Sequence, residues 1–86
     1  MKSVNMVTIK DSQTIGIGKG FEICKVSKRN GKVNMWYIAP QRTTISAIKI
    51  KAFKTSGEID DHFIYIGTVF QTGKGDALHY FYEVIN

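Results

Sequence analysis

The pattern of hydrophobic and polar positions along the chain predicts a series of short β-strands. In residues 20–39, apolar or aromatic side chains alternate with polar ones on both sides of Asn30-Gly31. An Asn-Gly pair between two such runs is typical of a two-residue type I′ turn, because both central residues need a positive φ angle. The sequence therefore predicts an antiparallel hairpin in which Lys25 faces Trp36.

This register sorts the hairpin side chains into two surfaces, because successive residues of a strand point to opposite faces. One surface is apolar and is expected to face the core, and we expect its thiol to be buried. The other is basic and polar with one large aromatic ring. The apolar set is Cys24, Val26, Val33, Met35 and Tyr37, and the basic set is Lys25, Ser27, Arg29, Lys32, Asn34 and Trp36.

Two further strands are predicted before this hairpin, over residues 3–10 and 13–17. The glycines at 16, 18 and 20 do not have the spacing of a dinucleotide-binding loop. Such spacing favours a bend where a strand passes from one sheet to another, although a backbone approach to a phosphate near Lys19 is the alternative.

Residues 41–54 fit either a strand or a helix. Pro40 is a residue that can open a helix, and Gly57 is one that can close it. The density of β-branched residues in this stretch favours a strand instead. We therefore predict a strand and keep a helix near residues 41–54 as the alternative.

A second hairpin is predicted from residues 62–71 and 77–85, with a glycine-containing turn at residues 72–76. Both of its faces are apolar, so both need cover from the rest of the chain or from another molecule. This pattern predicts self-association or a protein partner, with an interface at Phe63, Tyr65, Tyr80 and Tyr82.

These elements predict one all-β domain over residues 1–86. Its architecture is expected to be a small antiparallel sandwich or partly open barrel of five to seven strands. The alternative is an α+β fold that contains the helix near residues 41–54.

Charge adds a functional expectation. Residues 1–54 contain eleven Lys/Arg and two Asp/Glu, whereas residues 55–86 contain one Lys and five Asp/Glu. This separation indicates two surfaces with different partners, one of them a polyanion.

The sequence also argues against several classes of function. It has no apolar run long enough for a signal peptide or a membrane span, and its single cysteine suits a reducing cytoplasm. No nucleophile motif surrounds Cys24 or the two histidines. Asp60, Asp61 and His62 are metal-ligating residue types, but neighbours in a loop rarely converge on one ion. We expect a non-enzymatic protein without a metal or a cofactor.

Lysines beside an exposed tryptophan are typical of single-stranded nucleic-acid binding, because cations neutralise phosphates while an indole stacks on an unpaired base. We therefore predict binding to RNA or single-stranded DNA. The predicted contact residues are Lys25, Lys28, Arg29, Lys32 and Trp36, with Lys19, Arg42, Lys49 and Lys51 as further members.

The short, Lys-, Ile- and Asn-rich, almost proline-free composition is similar to that of the small early proteins of bacteriophages. This resemblance implies a second hypothesis. The chain would act in the host cytoplasm as an inhibitor or adaptor that binds a host protein, such as a defence nuclease or a toxin. The aromatic, acidic last third would bind that partner, with or without RNA.

Overall fold

The alternation of apolar and polar residues corresponds to seven β-strands in a computed structural model of the protein, which describes residues 1–71 and 75–85. The all-β prediction is confirmed, and the alternative helix near residues 41–54 is wrong because this stretch contains the longest strand. The strands are β1 (Lys2–Ile9), β2 (Ser12–Gly18), β3 (Glu22–Arg29), β4 (Lys32–Pro40), β5 (Ile45–Lys54), β6 (Ile64–Phe70) and β7 (Ala77–Val84).

The strands form two antiparallel sheets that pack as a small sandwich. Sheet A has the order β1-β4-β3, and sheet B has the order β2-β5-β7-β6. The chain passes between the sheets at three connections, after β1, β2 and β4. The glycine-rich stretch is one of these connections, and Gly20 adopts a φ of 91° there. The predicted change of sheet is therefore present.

The β3–β4 hairpin has the predicted turn. Asn30 and Gly31 have φ angles of 52° and 76°, and Lys25 lies opposite Trp36. The expected burial of Cys24 is wrong, because a β-bulge between Ile23 and Lys25 leaves its side chain exposed. A bulge adds one residue to a strand, so Ile23 takes the inward position that Cys24 was expected to occupy.

The core lies between the sheets and receives side chains from both. Met35 of sheet A and Ile48 and Ile50 of sheet B have no exposed surface. The sheets come closest where β6 crosses β3, because a Cβ atom added at Gly67 would lie 2.9 Å from the Cβ of Val26. Any larger residue at position 67 would therefore push the two strands apart.

Two of the four residues predicted for a protein interface face the interior. Tyr80 is 1% exposed, and its hydroxyl donates a hydrogen bond of 2.9 Å to Oδ1 of Asp11. Tyr82 packs edge-on against Phe21 with ring centroids 5.4 Å apart. Phe63 and Tyr65 lie on the opposite side of sheet B, so the structure does not bring the four residues together.

The second hairpin forms as predicted from β6 and β7. The middle of its predicted turn, residues 72–74, lies outside the described residues. The outer face of this hairpin is covered in part by the connection between β5 and β6. His62 pairs there with Glu83 of β7, and Phe63 packs edge-on against Phe53 of the neighbouring strand β5 at 5.6 Å. The chain itself therefore covers part of the apolar surface for which the sequence predicted a partner molecule.

No helix in residues 1–71 and 75–85 is long and apolar enough to cross a membrane.

Candidate nucleic-acid interface

The outward face of sheet A carries side chains in cross-strand rows. The central strand β4 supplies the middle residue of each row, and β1 and β3 supply the flanking residues. The first row is Met6, Trp36 and Lys25, the second is Thr8, Asn34 and Ser27, and the third is the pair Lys32 and Arg29 at the hairpin end. An aromatic row, an uncharged polar row and a cationic row therefore follow one another along the sheet.

Trp36 lies in the middle of this face. Its side chain is 40% exposed, whereas its neighbour Met35 points inward and is fully buried. An open groove of about 550 Å³ runs from Trp36 along β3 and β4 to Arg29. Its lining residues are Met6, Cys24, Lys25, Ser27, Arg29, Asn34 and Trp36. One face of the indole is therefore accessible to a flat ligand.

The polar row is held by a hydrogen bond between strands. The hydroxyl of Thr8 donates to Oδ1 of Asn34 at 2.9 Å. This contact fixes the amide orientation, because the oxygen is engaged and the NH₂ group remains as donor. Ser27 completes the row on the other side of Asn34. The row thus presents the oriented amide of Asn34 and the hydroxyl of Ser27 to the groove.

In the part of the chain that the structure describes, the cations of this face form no salt bridge. The side-chain ion pair found there joins His62 and Glu83, near sheet B. The strands of sheet A contain five Lys/Arg and a single acidic residue, Glu22. Lys25 and Arg29 line the groove directly. Unpaired cations around an accessible aromatic ring produce a surface that attracts anions.

The structure divides the nine predicted nucleic-acid contacts among several surfaces. Lys25, Arg29, Lys32 and Trp36 share the outward face of sheet A. Lys28 is exposed but lies opposite Val33, whose side chain packs against the core, so Lys28 is on the other face of the hairpin.

The remaining four predicted contacts lie elsewhere. Lys19 and Arg42 occupy connections at the far end of sheet A, which are joined by a 2.7 Å hydrogen bond from the Lys19 amide to the Thr44 carbonyl. Because β4 rises about 3.3 Å per residue, this end is roughly 25 Å from the hairpin turn. Lys49 and Lys51 are on the outward face of sheet B.

Sequence reasoning missed three residues of this face. Met6 and Cys24 line the groove, and Thr8 holds the Asn34 amide. The outward position of Thr8 was readable, because it lies between the apolar Val7 and Ile9, whereas Met6 is apolar and follows the polar Asn5. What the sequence does not indicate is that β1 pairs with β4, more than twenty residues away. Cys24 was misassigned because nothing in the hairpin pattern indicates the bulge.

The outward face of sheet B carries a different set of groups. Phe81 contacts Phe53 and Tyr65 edge-on at 5.5 and 5.4 Å, and the amino group of Lys51 lies 5.2 Å from the Phe53 ring centroid. His79 bonds through both ring nitrogens to threonine hydroxyls, at 2.9 Å to Thr68 and 2.8 Å to Thr55. A histidine held in this way lacks the carboxylate that orients a catalytic base.

Metal-ligating side chains do not gather on the described residues. Within that part of the chain no group of three or more His, Cys, Asp and Glu side chains is placed to hold an ion.

Comparisons with known proteins identify a family and no function. No curated protein and no solved structure matches the sequence. One family does match, over residues 4–86, and its description is "Domain of unknown function (DUF7352)". Because the match covers nearly the whole chain, the protein belongs to this family.

Proposed function

We propose that this protein is a non-enzymatic module that binds single-stranded nucleic acid on the outward face of sheet A. The observation that carries the proposal is the position of Trp36, which is accessible on the central strand and lies directly beside Lys25. An indole stacks on an unpaired base of any identity, and adjacent cations neutralise the phosphates.

The arrangement favours a single strand over a duplex. The indole is accessible only through a groove on a sheet surface, and a base reaches it only when the base is not paired within a helix. Arg29 and Lys32 lie about four residues along the strands from the row of Trp36, which corresponds to about 13 Å. This length suits consecutive nucleotides that run along β3 and β4.

A reducing cytoplasm is the setting that this proposal implies. Cys24 is exposed in the groove beside Lys25, and its thiol remains free of disulfides under reducing conditions.

The direct test is a titration of the protein with a fluorescently labelled uridine decamer at several salt concentrations. We expect quenching of Trp36 and a log–log salt slope of roughly −2, as for about three neutralised phosphates. The Trp36→Ala variant, followed by anisotropy of the label, is expected to lose about 1–3 kcal/mol of binding free energy.

A matched pair of variants assigns the binding to one face. Lys25→Gln and Lys28→Gln each remove one cation from the same strand, but Lys25 is on the groove side and Lys28 is on the other. We expect a weaker salt slope for Lys25→Gln and little change for Lys28→Gln. Binding that is absent, or that is insensitive to both Trp36 and salt, contradicts the proposal.

A protein-binding role is the second candidate, and the exposed aromatic side chains of β6 favour it. Tyr65 and Phe70 point to the outward face of sheet B and are 55% and 72% exposed, on a strand without charged residues. Such side chains are enriched at protein interfaces. A failure of oligonucleotide binding, together with self-association in a sizing-chromatography dilution series, would favour this candidate.

A further inference from the structure

The uncharged row of Thr8, Asn34 and Ser27 lies between the aromatic ring and the cations of the proposed binding face. Asn34 is two residues from Trp36 and two residues from Lys32 on β4, which places it about 6.6 Å from each along the strand. A strand that stacks one base on Trp36 and directs a neighbouring phosphate to Arg29 or Lys32 has a sugar over this row. We infer that the row reads the sugar, and that the face selects RNA over DNA.

This inference rests on the proposed function and names the nucleic acid within it. The 2′-hydroxyl is the group by which a protein distinguishes RNA from DNA, and it both donates and accepts hydrogen bonds. The row offers matching groups, because Asn34 presents an amide NH₂ and Ser27 a hydroxyl. None of the three residues carries a charge, so they suit a neutral sugar better than a phosphate.

The orientation of the Asn34 amide explains why RNA is preferred over DNA. Thr8 donates to its Oδ1, which leaves the NH₂ group to face the groove. When RNA covers the row, the 2′-oxygen accepts from this group. When DNA covers it, the same donor meets a carbon atom and loses its contact with water, which costs free energy that RNA does not lose.

The experiment compares a uridine decamer with a 2′-deoxyuridine decamer, because the two probes differ only in the 2′-hydroxyl. We expect the uridine decamer to bind about fivefold more tightly to the unmodified protein, as for one net hydrogen bond. Asn34→Ala is expected to remove this ratio, because the uridine decamer loses a hydrogen bond and the deoxyuridine decamer no longer leaves the amide donor without a partner. Thr8→Val is expected to reduce the ratio, because the amide loses its anchor.

Asn5→Ala serves as the matched control, because Asn5 is in β1 and its position in the register places it on the opposite face of sheet A from Thr8. This variant is expected to keep the ratio of the unmodified protein. Circular dichroism and thermal unfolding of each variant separate a change of contact from a loss of fold.

The outcomes separate the inference from the proposed function. Equal affinity for the two decamers, or tighter binding of the deoxyuridine decamer, overturns the selection of RNA. A ratio that survives Asn34→Ala overturns the inference that this row reads the sugar. Nucleic-acid binding stands in each of these cases. The absence of binding to either decamer overturns the proposed function and this inference with it.

Discussion

The hydroxyl of Tyr80 links the last strand of the chain to the connection that follows the first strand. Its ring is buried among the core side chains, and its hydroxyl reaches Asp11 in the connection between β1 and β2. Burial raises the pKa of the Tyr80 hydroxyl above its ordinary value, and the hydrogen bond to Asp11 and the negative charge of Asp11 act in the same direction. The folded protein therefore keeps this proton at a pH at which the unfolded chain releases it.

We predict that Tyr80→Phe changes the alkaline stability of the protein. At pH 7 the variant is expected to be less stable by about 1 kcal/mol, because it lacks the hydrogen bond to Asp11. Above pH 10 the unfolded chain of the natural protein binds fewer protons than the folded chain, so its stability falls as the pH rises. The difference between the two proteins is therefore expected to disappear by about pH 11.

Urea unfolding at pH 7, 9 and 11, followed by circular dichroism, measures this difference. The two proteins differ only in the Tyr80 hydroxyl, so the comparison isolates its contribution. Parallel stability curves for the two proteins across this range would contradict the prediction.

At the scale of elements, the closest approach between the sheets is where β6 crosses β3. We predict that Gly67→Ala lowers the free energy of unfolding by about 1–3 kcal/mol, because the added methyl group overpacks the core against Val26. Gly16→Ala is the matched control in β2, where the new methyl group meets only the Cγ2 methyl of Ile45, an exposed side chain that is free to shift. That variant is expected to remain as stable as the natural protein.

Urea unfolding of both variants tests this account. Gly67→Ala combined with Val26→Gly is expected to lose less stability than the two single changes added together, because glycine at position 26 lacks the Cβ atom that the new methyl group meets. Strict additivity would show that Gly67 does not act through Val26.

The strands and turns were predictable from the sequence where neighbouring residues alone determine the backbone conformation. The Asn30-Gly31 pair specifies a turn, and the turn specifies the pairing of Lys25 with Trp36. The two bulges, at Cys24 and at Ile66, were not predictable. A bulge leaves the composition of a strand unchanged, and its position depends on which residue the opposite sheet accepts.

The candidate site was predictable only in the part that belongs to one hairpin. Lys25, Arg29, Lys32 and Trp36 share a face because they lie on two strands joined by one turn. Met6 and Thr8 join them through the pairing of β1 with β4, which brings together residues more than twenty positions apart. Lys49 and Lys51 were predicted in the same patch because the sequence shows their charge but does not show which sheet their strand joins.

At the scale of the whole molecule, folding redistributes the charge separation seen along the chain. Strand β5 comes from the basic part of the sequence, yet it pairs with β7 from the acidic part and sets Lys49 opposite Glu83. The outward face of sheet B therefore carries both signs of charge. The outward face of sheet A combines strands from the basic part only, and Glu22 is the single acidic residue of these strands, so the face keeps a positive charge.

This asymmetry predicts that nucleic-acid binding depends on where a charge lies and not on the net charge. The double variants Arg29→Gln/Lys32→Gln and Lys49→Gln/Lys51→Gln both lower the net charge of +5 by two. We expect the first to reduce the magnitude of the salt slope for the uridine decamer by about 1.4, because each lost phosphate contact on a single strand contributes about 0.7. The second is expected to leave the slope unchanged, because its cations are on the outward face of sheet B. Equal slopes for the two variants would mean that binding follows the overall charge, and the outward face of sheet A would then have no special role.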